Sequence, residues 1–333
     1  MSRLTEQDLI ARYFAPLAGP GGRGLRDDAA LLAVPPGTEL VLTADALVAG
    51  VHFFSQDPPD KIAAKALGVN LSDLAAKAAD PLGFLLTLAL PRDWRPEWLE
   101  VFARGLGDMA LQCHCPLLGG DTVATPGPLT LSITALGAVA AGQMKRRTTA
   151  APGDALYVSG TIGDAALGLC LRQVELGQAP APVWAQSLSP EQREMLIDRY
   201  LLPRPRLALI PALREASAAM DISDGFVGDL RALARESRLH AQVDLRRIPL
   251  SAASRIALDA DPALFDRILC GGDDYEILCA VPSDAAAPFE ALAEVAGVPV
   301  AAVGRAVSLA SAESLIGLDG QSQMFERDRY SHF

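Results

Sequence analysis

Aspartates set among small and apolar residues are the feature that most limits how this chain can fold. They occur in the strings RDDAALL, LTADALVAGVHF, VNLSDLAAKAA, LLGGDT, MDISDG and GGDDYE. A carboxylate that is buried without a partner costs several kcal/mol, so the fold must supply each one with a cation or a donor. The sequence contains only four lysines, which favours divalent cations as those partners.

Each acidic motif also has a simpler interpretation. An Asp-Asp or Gly-Gly-Asp string commonly forms a turn or a helix cap. Asp73 could face solvent and pair with Lys77 four residues later, and Asp221 and Asp224 could cap a helix that begins near Gly225. The joint occurrence of the motifs favours a metal–phosphate site, because several independent caps would be needed to explain them separately.

Composition excludes several classes of protein. The 29 basic residues against 40 acidic ones give a net charge of −11, which argues against binding to a nucleic-acid backbone. No apolar run of about 18 residues predicts a membrane helix, and the charged N-terminus does not resemble a signal peptide. Five cysteines without a CxxC pair indicate reduced thiols and a cytoplasmic protein. None of the lysines follows a glycine, so the chain has no P-loop.

Hydrophobic periodicity predicts a mixed α/β chain with a break near Lys145–Pro152. In the first half we expect helices over 5–17, 61–79 and 98–111, and strands over 29–34, 39–42, 84–90 and 129–139. In the second half we expect strands over 155–159, 241–245, 275–281 and 299–304, and helices over 190–201, 205–217 and 225–236. These elements predict an N-terminal domain of residues 1–148 and a C-terminal domain of residues 149–333.

The acidic strings, together with PGDALYVSGTIGDAALGL, DISDGFVGDL and the closing YSHF, resemble the thiamine-monophosphate kinase family in order and spacing. The wider group is similar to the aminoimidazole-ribonucleotide-synthetase-like ATP-binding superfamily. The resemblance implies a two-domain PurM-like α/β (α+β) fold, whose N-terminal mixed α/β domain binds ATP and Mg²⁺ and pairs in a homodimer. The C-terminal α/β domain would complete the nucleotide and substrate site. The implied reaction is ATP-dependent phosphorylation of thiamine monophosphate to thiamine diphosphate by direct in-line transfer, assisted by several Mg²⁺ ions.

The resemblance also assigns roles to particular residues. Metal-ligand positions fall on Asp28, Thr43, Asp45, Asp73, Asp121, Asp221 and Asp224. Nucleotide-binding positions fall on Gly120, Asp121, Arg147 and Ser223, and substrate-binding positions fall on His52, Asp273 and Arg327. Phosphoryl transfer needs positioning and charge neutralisation, so no catalytic side chain is expected beyond these metal and phosphate ligands.

The sequence departs from the family pattern at several positions, among them Arg26 in place of a glycine and Asp273 where glutamate is also found, and it leaves alternatives open. Ala44 stands where relatives often have a threonine ligand, and Arg327 stands where they place an aromatic residue, with Phe325 two residues away. His52 could be a core histidine satisfied by the backbone, and Arg147 could lie in a solvated basic turn. Two alternative functions remain: an ATP-activating synthetase of the same superfamily, and a catalytically silent nucleotide- or metal-binding protein. The synthetase would need a reactive cysteine near the N-terminus.

Overall fold

The computed structural model describes residues 5–318 and 320–325, and the chain divides into two compact units. The first unit holds the residues up to Leu74 and Ala79–Met144, and the second holds Ala75–Ala78 and the residues from Lys145 onward. The α-helices are α1 (Glu6–Leu9), α2 (Pro59–Ala76), α3 (Pro96–Gln112), α4 (Asp164–Glu175), α5 (Pro190–Leu201), α6 (Ile210–Leu213), α7 (Phe226–Glu236), α8 (Ala252–Ala260), α9 (Leu264–Cys270) and α10 (Ala286–Val295). The strands are β1 (Thr38–Val48), β2 (Asp80–Pro91), β3 (Leu117–Thr125), β4 (Thr130–Ala140), β5 (Ala155–Ser159), β6 (Ala218–Ile222), β7 (His240–Asp244), β8 (Glu276–Val281), β9 (Val300–Val307) and β10 (Ser314–Ile316).

The first unit is built on a four-stranded sheet of order β1-β4-β2-β3. Strand β4 pairs antiparallel with both β1 and β2, and β2 pairs parallel with β3. One face is covered by α2, whose Leu74 side chain lies against Gly137 of β4. On the opposite face Leu42, Leu85 and Val123 are exposed, so we call it the open face of the sheet.

The N-terminal segment begins as predicted and then departs from a regular helix. Thr5 and Asp8 form a reciprocal capping box, which the spacing of these two residues predicted. The chain continues as a π-helical turn over Ile10–Phe14 and a 3₁₀ turn over Ala15–Leu17. Pro16 removes a backbone donor there, which disfavours a continuous α-helix.

The strand predicted over residues 29–34 is wrong. These residues have no regular structure and are mostly exposed, and β1 starts only at Thr38. An apolar run forms a strand only where a neighbouring strand can pair with it, and Pro35 and Pro36 end this run before it reaches the sheet.

The second unit contains a six-stranded sheet of order β10-β7-β9-β5-β8-β6, with apolar cores on both faces. Leu156 and Val158 of β5 pack into one core, and Tyr157 packs with Phe289 into the other. Every residue of β6 and β8 is buried, which explains why β8 is a continuous apolar run after Glu276 rather than an alternating one.

Most predicted elements of the second unit are confirmed within a few residues, with one clear exception. The helix predicted over 205–217 is reduced to a 3₁₀ turn over Leu207–Leu209 and the short α6. The chain then enters β6, which the sequence did not predict, and the Ser217 backbone N–H already donates to the Ala280 carbonyl. Among the described residues no helix is long and apolar enough to cross a bilayer.

Candidate active site

Three of the predicted metal ligands meet between β1 and α2 in the first unit. The Thr43 hydroxyl donates to the Asp73 carboxylate, and the Asp45 backbone N–H donates to Asn70 Oδ1 at 3.1 Å. Burial, with repulsion from Asp73 added to it, raises the pKa of Asp45 to about 6. Oxygen donors of this kind, held partly out of water and repelling each other, suit a Mg²⁺ ion.

Asn70 is a site residue to which the sequence analysis gave no role. Its side chain is fully buried, and its Nδ2 donates to the Ala66 carbonyl at 3.0 Å while its Oδ1 holds the Asp45 backbone. A buried amide in the middle of an alanine-rich helix was the available signal, because such a group must find hydrogen-bond partners.

A second acidic pair lines a cavity of about 740 Å³ in the same unit. Asp28 and Asp121 both border it, as do Asp27 and Gly120. The Asp28 N–H donates to Asp27 Oδ1 at 2.9 Å, and this bond stabilises the turn that holds Asp27 and Asp28 at the cavity. Gly120 is required by the backbone, since a Cβ there would lie 1.8 Å from the Leu86 carbonyl oxygen.

The predicted metal ligands of the first unit therefore form two sets rather than one cluster. Asp45 lies on β1 with Asp73 of α2 beside it, whereas Asp121 lies on β3 at the opposite edge of the sheet. In register Asp121 pairs with Thr87, whose side chain is on the open face. Within the described residues no group of three or more His, Cys, Asp or Glu side chains is arranged to hold a metal ion.

The DISDG motif of the second unit forms the end of β6 and the turn into α7. Asp221 is buried on β6, and Gly225 is the N-cap of α7 with no side-chain cap. The alternative in which Asp221 or Asp224 caps this helix is therefore wrong. Asp229 in the first turn of α7 performs a related role, because its Oδ2 accepts the backbone N–H groups of Ser223 at 3.0 Å and Asp224 at 3.1 Å.

The GGDD motif forms a loop that is hydrogen-bonded to the DISDG turn. The Asp273 N–H donates to the Ser223 carbonyl, and the Tyr275 N–H donates to the Ile222 carbonyl, both at 2.8 Å. Asp274 is buried and accepts the Gly163 N–H with both carboxylate oxygens, and burial raises the pKa of Asp274 well above its ordinary value. The second unit thus brings Asp273 into the same group of loops as Ser223 and Asp224.

The remaining predicted site residues differ in what surrounds them. His52 lies in a turn that contains Gly50 with φ 84°, and its Nδ1 accepts the Val48 N–H at 3.0 Å. This bond is one that a structural histidine makes, and it leaves Nε2 as the protonated nitrogen.

Arg147 is exposed, and its carbonyl accepts a hydrogen bond from Ser237. Arg327 lies outside the described residues, whereas Phe325 packs against the larger core of the second unit.

Comparison with known proteins identifies the family. A family model for the AIR synthase related protein, N-terminal domain, matches residues 26–139, and one for the C-terminal domain of the same group matches residues 151–313. A thiamine-monophosphate kinase of Caulobacter vibrioides is 43% identical over 309 residues, which cover 91% of this chain and 84% of the relative. The chain belongs to the thiamine-monophosphate kinase family. The resemblance seen in the sequence is confirmed.

Solved structures of the thiamine-monophosphate kinase family share the fold. The crystal structure of the enzyme from Stenotrophomonas maltophilia K279a is 40% identical and superposes with a TM-score of 0.78, covering 90% of this chain and 91% of that one. AaThiL complexed with AMPPCP and TMP is 28% identical with a TM-score of 0.75, covering 100% of this chain and 99% of that one. The expected two-domain α/β fold is therefore confirmed.

Proposed function

We propose that this chain transfers the terminal phosphoryl group of ATP to thiamine monophosphate and so forms thiamine diphosphate. The observation that carries the proposal is the desolvated set of Thr43, Asp45 and Asp73 in a member of the thiamine-monophosphate kinase family. A polyanionic donor and a phosphate acceptor need cations between them, and this set is built to attract cations. The relative AaThiL was complexed with AMPPCP, an ATP analogue, and TMP, which supports this pair of substrates.

We propose that Mg²⁺ is the cation and that several ions bind. Their ligands would be Asp28, Thr43, Asp45, Asp73 and Asp121 of the first unit and Asp221 and Asp224 of the second. The pKa of Asp45, which burial and then repulsion from Asp73 raise, fits a divalent ion, because a nearby cation would stabilise the ionised carboxylate. When bound, such ions neutralise the developing charge on the transferring phosphoryl group.

The protein's own residues would mainly bind and orient the substrates. Gly120, Asp121, Arg147 and Ser223 are proposed for the nucleotide, and His52, Asp273 and Arg327 for the acceptor. The acceptor is a phosphate monoester that is mostly ionised at neutral pH, so the transfer needs no general base. Arg147 is exposed and its bond to Ser237 uses the backbone carbonyl, which supports a phosphate-binding role for its guanidinium.

Product analysis tests the proposal. Purified protein is incubated with ATP, Mg²⁺ and thiamine monophosphate, and the products are identified by mass spectrometry. Thiamine diphosphate and ADP in equal amounts are expected. ADP and free phosphate with unchanged thiamine monophosphate would instead support a synthetase, and no turnover at all would support a silent binding protein.

Replacement of His52 is expected to weaken binding of the acceptor selectively. His52→Asn removes the imidazole Nε2 that would hydrogen-bond thiamine monophosphate, so the KM for this substrate should rise by about 5- to 150-fold. The KM for ATP and the Mg²⁺ dependence should hardly change. Steady-state kinetics in which each substrate is varied separately decide the matter. A lower melting temperature with an unchanged acceptor KM would mean that His52 is a structural residue.

We also propose that the chain is a cytoplasmic homodimer that pairs through the open face of the first sheet. Leu42 is 60% exposed there and Leu85 is 39% exposed, which is a large apolar surface for a sheet to leave in water. All five cysteines are free thiols, which suits a reducing compartment.

Light scattering tests the homodimer. It should give twice the mass of one chain for the wild type, and Leu42→Asp should give single chains. The control Val295→Asp, at an 86% exposed position on α10, should remain paired. A wild-type monomer at micromolar concentration would contradict the proposal.

A further inference from the structure

Helix α7 connects two segments that carry proposed nucleotide-binding residues. Its N-terminus follows the turn of Ser223 and Asp224, and its C-cap is Ser237. The Ser237 hydroxyl donates to the Arg147 carbonyl at 2.8 Å and accepts the Ala150 N–H at 3.2 Å. The C-terminal end of this helix therefore holds the backbone from Arg147 to Ala150, and its N-terminal end lies beside the backbone of the DISDG turn.

Asp229 makes the bonds at the N-terminal end. It is 4% exposed, and one carboxylate oxygen accepts both the Ser223 and the Asp224 N–H groups. These two amides precede the helix and have no carbonyl acceptor within it. The Asp229 carboxylate therefore supplies their hydrogen-bond acceptor. The charged groups that face Asp229 are Asp224 and Arg147. Its role depends on the geometry of the accepted bonds.

We infer that Asp229 is a positioning residue, which fixes the turn of Ser223 and Asp224 for binding of the Mg²⁺-nucleotide, and that Ser237 does the same for Arg147. Asp229 touches neither substrate in this inference, and it acts through the backbone of the turn. Because Ser223 also accepts the Asp273 N–H, the same carboxylate stabilises the loop proposed to bind the acceptor. The inference about the nucleotide rests on the proposed function.

The first test does not depend on any activity. Amide hydrogen exchange, measured by NMR on the full-length wild-type chain, should find the Ser223 and Asp224 amides protected. In Asp229→Ala both amides should exchange at least about tenfold faster, because each has lost its acceptor. Asp229→Asn keeps an oxygen at the same place and should retain most of the protection. Unprotected amides in the wild type would overturn the inference even if the alanine variant does not fold.

The second test measures the nucleotide. Isothermal titration with AMPPCP and Mg²⁺ should give a Kd about tenfold higher for Asp229→Ala, about threefold higher for Ser237→Ala, and near the wild-type value for Asp229→Asn. The matched control is Asp154→Ala, since Asp154 is also buried and accepts the Ala151 N–H at 2.8 Å and the Ser217 hydroxyl. This control should lose stability and keep the wild-type Kd.

The outcomes separate the inference from the proposed function. If the wild type does not bind AMPPCP, the proposed function fails, and the amide exchange still decides whether Asp229 holds the turn. If the wild type binds and Asp229→Ala behaves like Asp154→Ala, with lower stability but unchanged exchange at Ser223 and an unchanged Kd, Asp229 is only a structural residue and the inference is wrong.

Discussion

Replacement of Asp45 or Asp121 by asparagine is expected to lower kcat/KM by about 100-fold or more, because each change removes a ligand charge from a metal that would neutralise the transferring phosphoryl group. Both substitutions preserve the shape of the side chain. The measurement is steady-state turnover of ATP and thiamine monophosphate across a range of Mg²⁺ concentrations. Asp80→Asn removes a carboxylate from the exposed start of β2 and is the control, with activity near that of the wild type.

Stability distinguishes loss of a ligand from loss of the fold in these variants. The pKa of Asp45 in the folded, metal-free protein is raised to about 6, so the folded state binds a proton more tightly than the unfolded state does. Stability is therefore lost as the pH rises from about 4 towards 6, and the penalty is fully present at pH 7.5. In chelator, Asp45→Asn should be more stable than the wild type at pH 7.5 by on the order of 1–2 kcal/mol, after allowance for screening at a partly exposed group. A less stable variant, or one that keeps wild-type turnover, would contradict the metal role of Asp45.

The largest effect on stability is expected at Glu276, at the start of β8. This side chain is fully buried and accepts hydrogen bonds from Arg199, Arg206 and Ser159. Glu276→Ala leaves the Arg199 guanidinium, which is itself 4% exposed, without its counter-charge, and the free energy of unfolding should fall by about 3–5 kcal/mol. Urea denaturation measures the change.

An exposed ion pair supplies the control for Glu276. Glu313 pairs with Arg231 at 3.1 Å, and both side chains are more than a third exposed. Glu313→Ala should change the free energy of unfolding by less than about 1 kcal/mol. A loss at Glu276 no larger than the loss at Glu313 would mean that the two arginines find other acceptors once the carboxylate is removed.

The sequence predicted the elements whose own pattern determines them. The capping box of Thr5 and Asp8 is local, and β5 is set by its apolar run, so both are confirmed. The strand predicted over 29–34 failed because a strand depends on a distant partner, which no periodicity reveals. Strand β6 was missed for a related reason, since its buried residues Ala218–Ile222 include Asp221, and an aspartate disfavours a strand until a sheet encloses it.

The acidic candidate ligands were easier to predict from the sequence than the residues that hold the backbone around them. Acidic strings in apolar segments marked Asp45 and Asp73, which the structure brings together. Asn70 and Asp229 were not identified, because each accepts a backbone hydrogen bond from a residue outside its own helix. Such a role can be predicted only when the neighbouring segment is known. The separation of Asp45 from Asp121 also depended on the strand order, which places β1 and β3 at opposite edges.

Gly120 has a consequence for how a mutational map of this chain should be interpreted. Any side chain at this position would collide with the Leu86 carbonyl, so all nineteen substitutions should be harmful whether or not the residue ever meets a nucleotide. Intolerance to replacement is therefore ambiguous here, as it combines the close approach of two strands with any effect on a ligand. The neighbouring Asp121 gives a clearer signal, because its exposed side chain has room to change and its replacement causes no clash with the backbone.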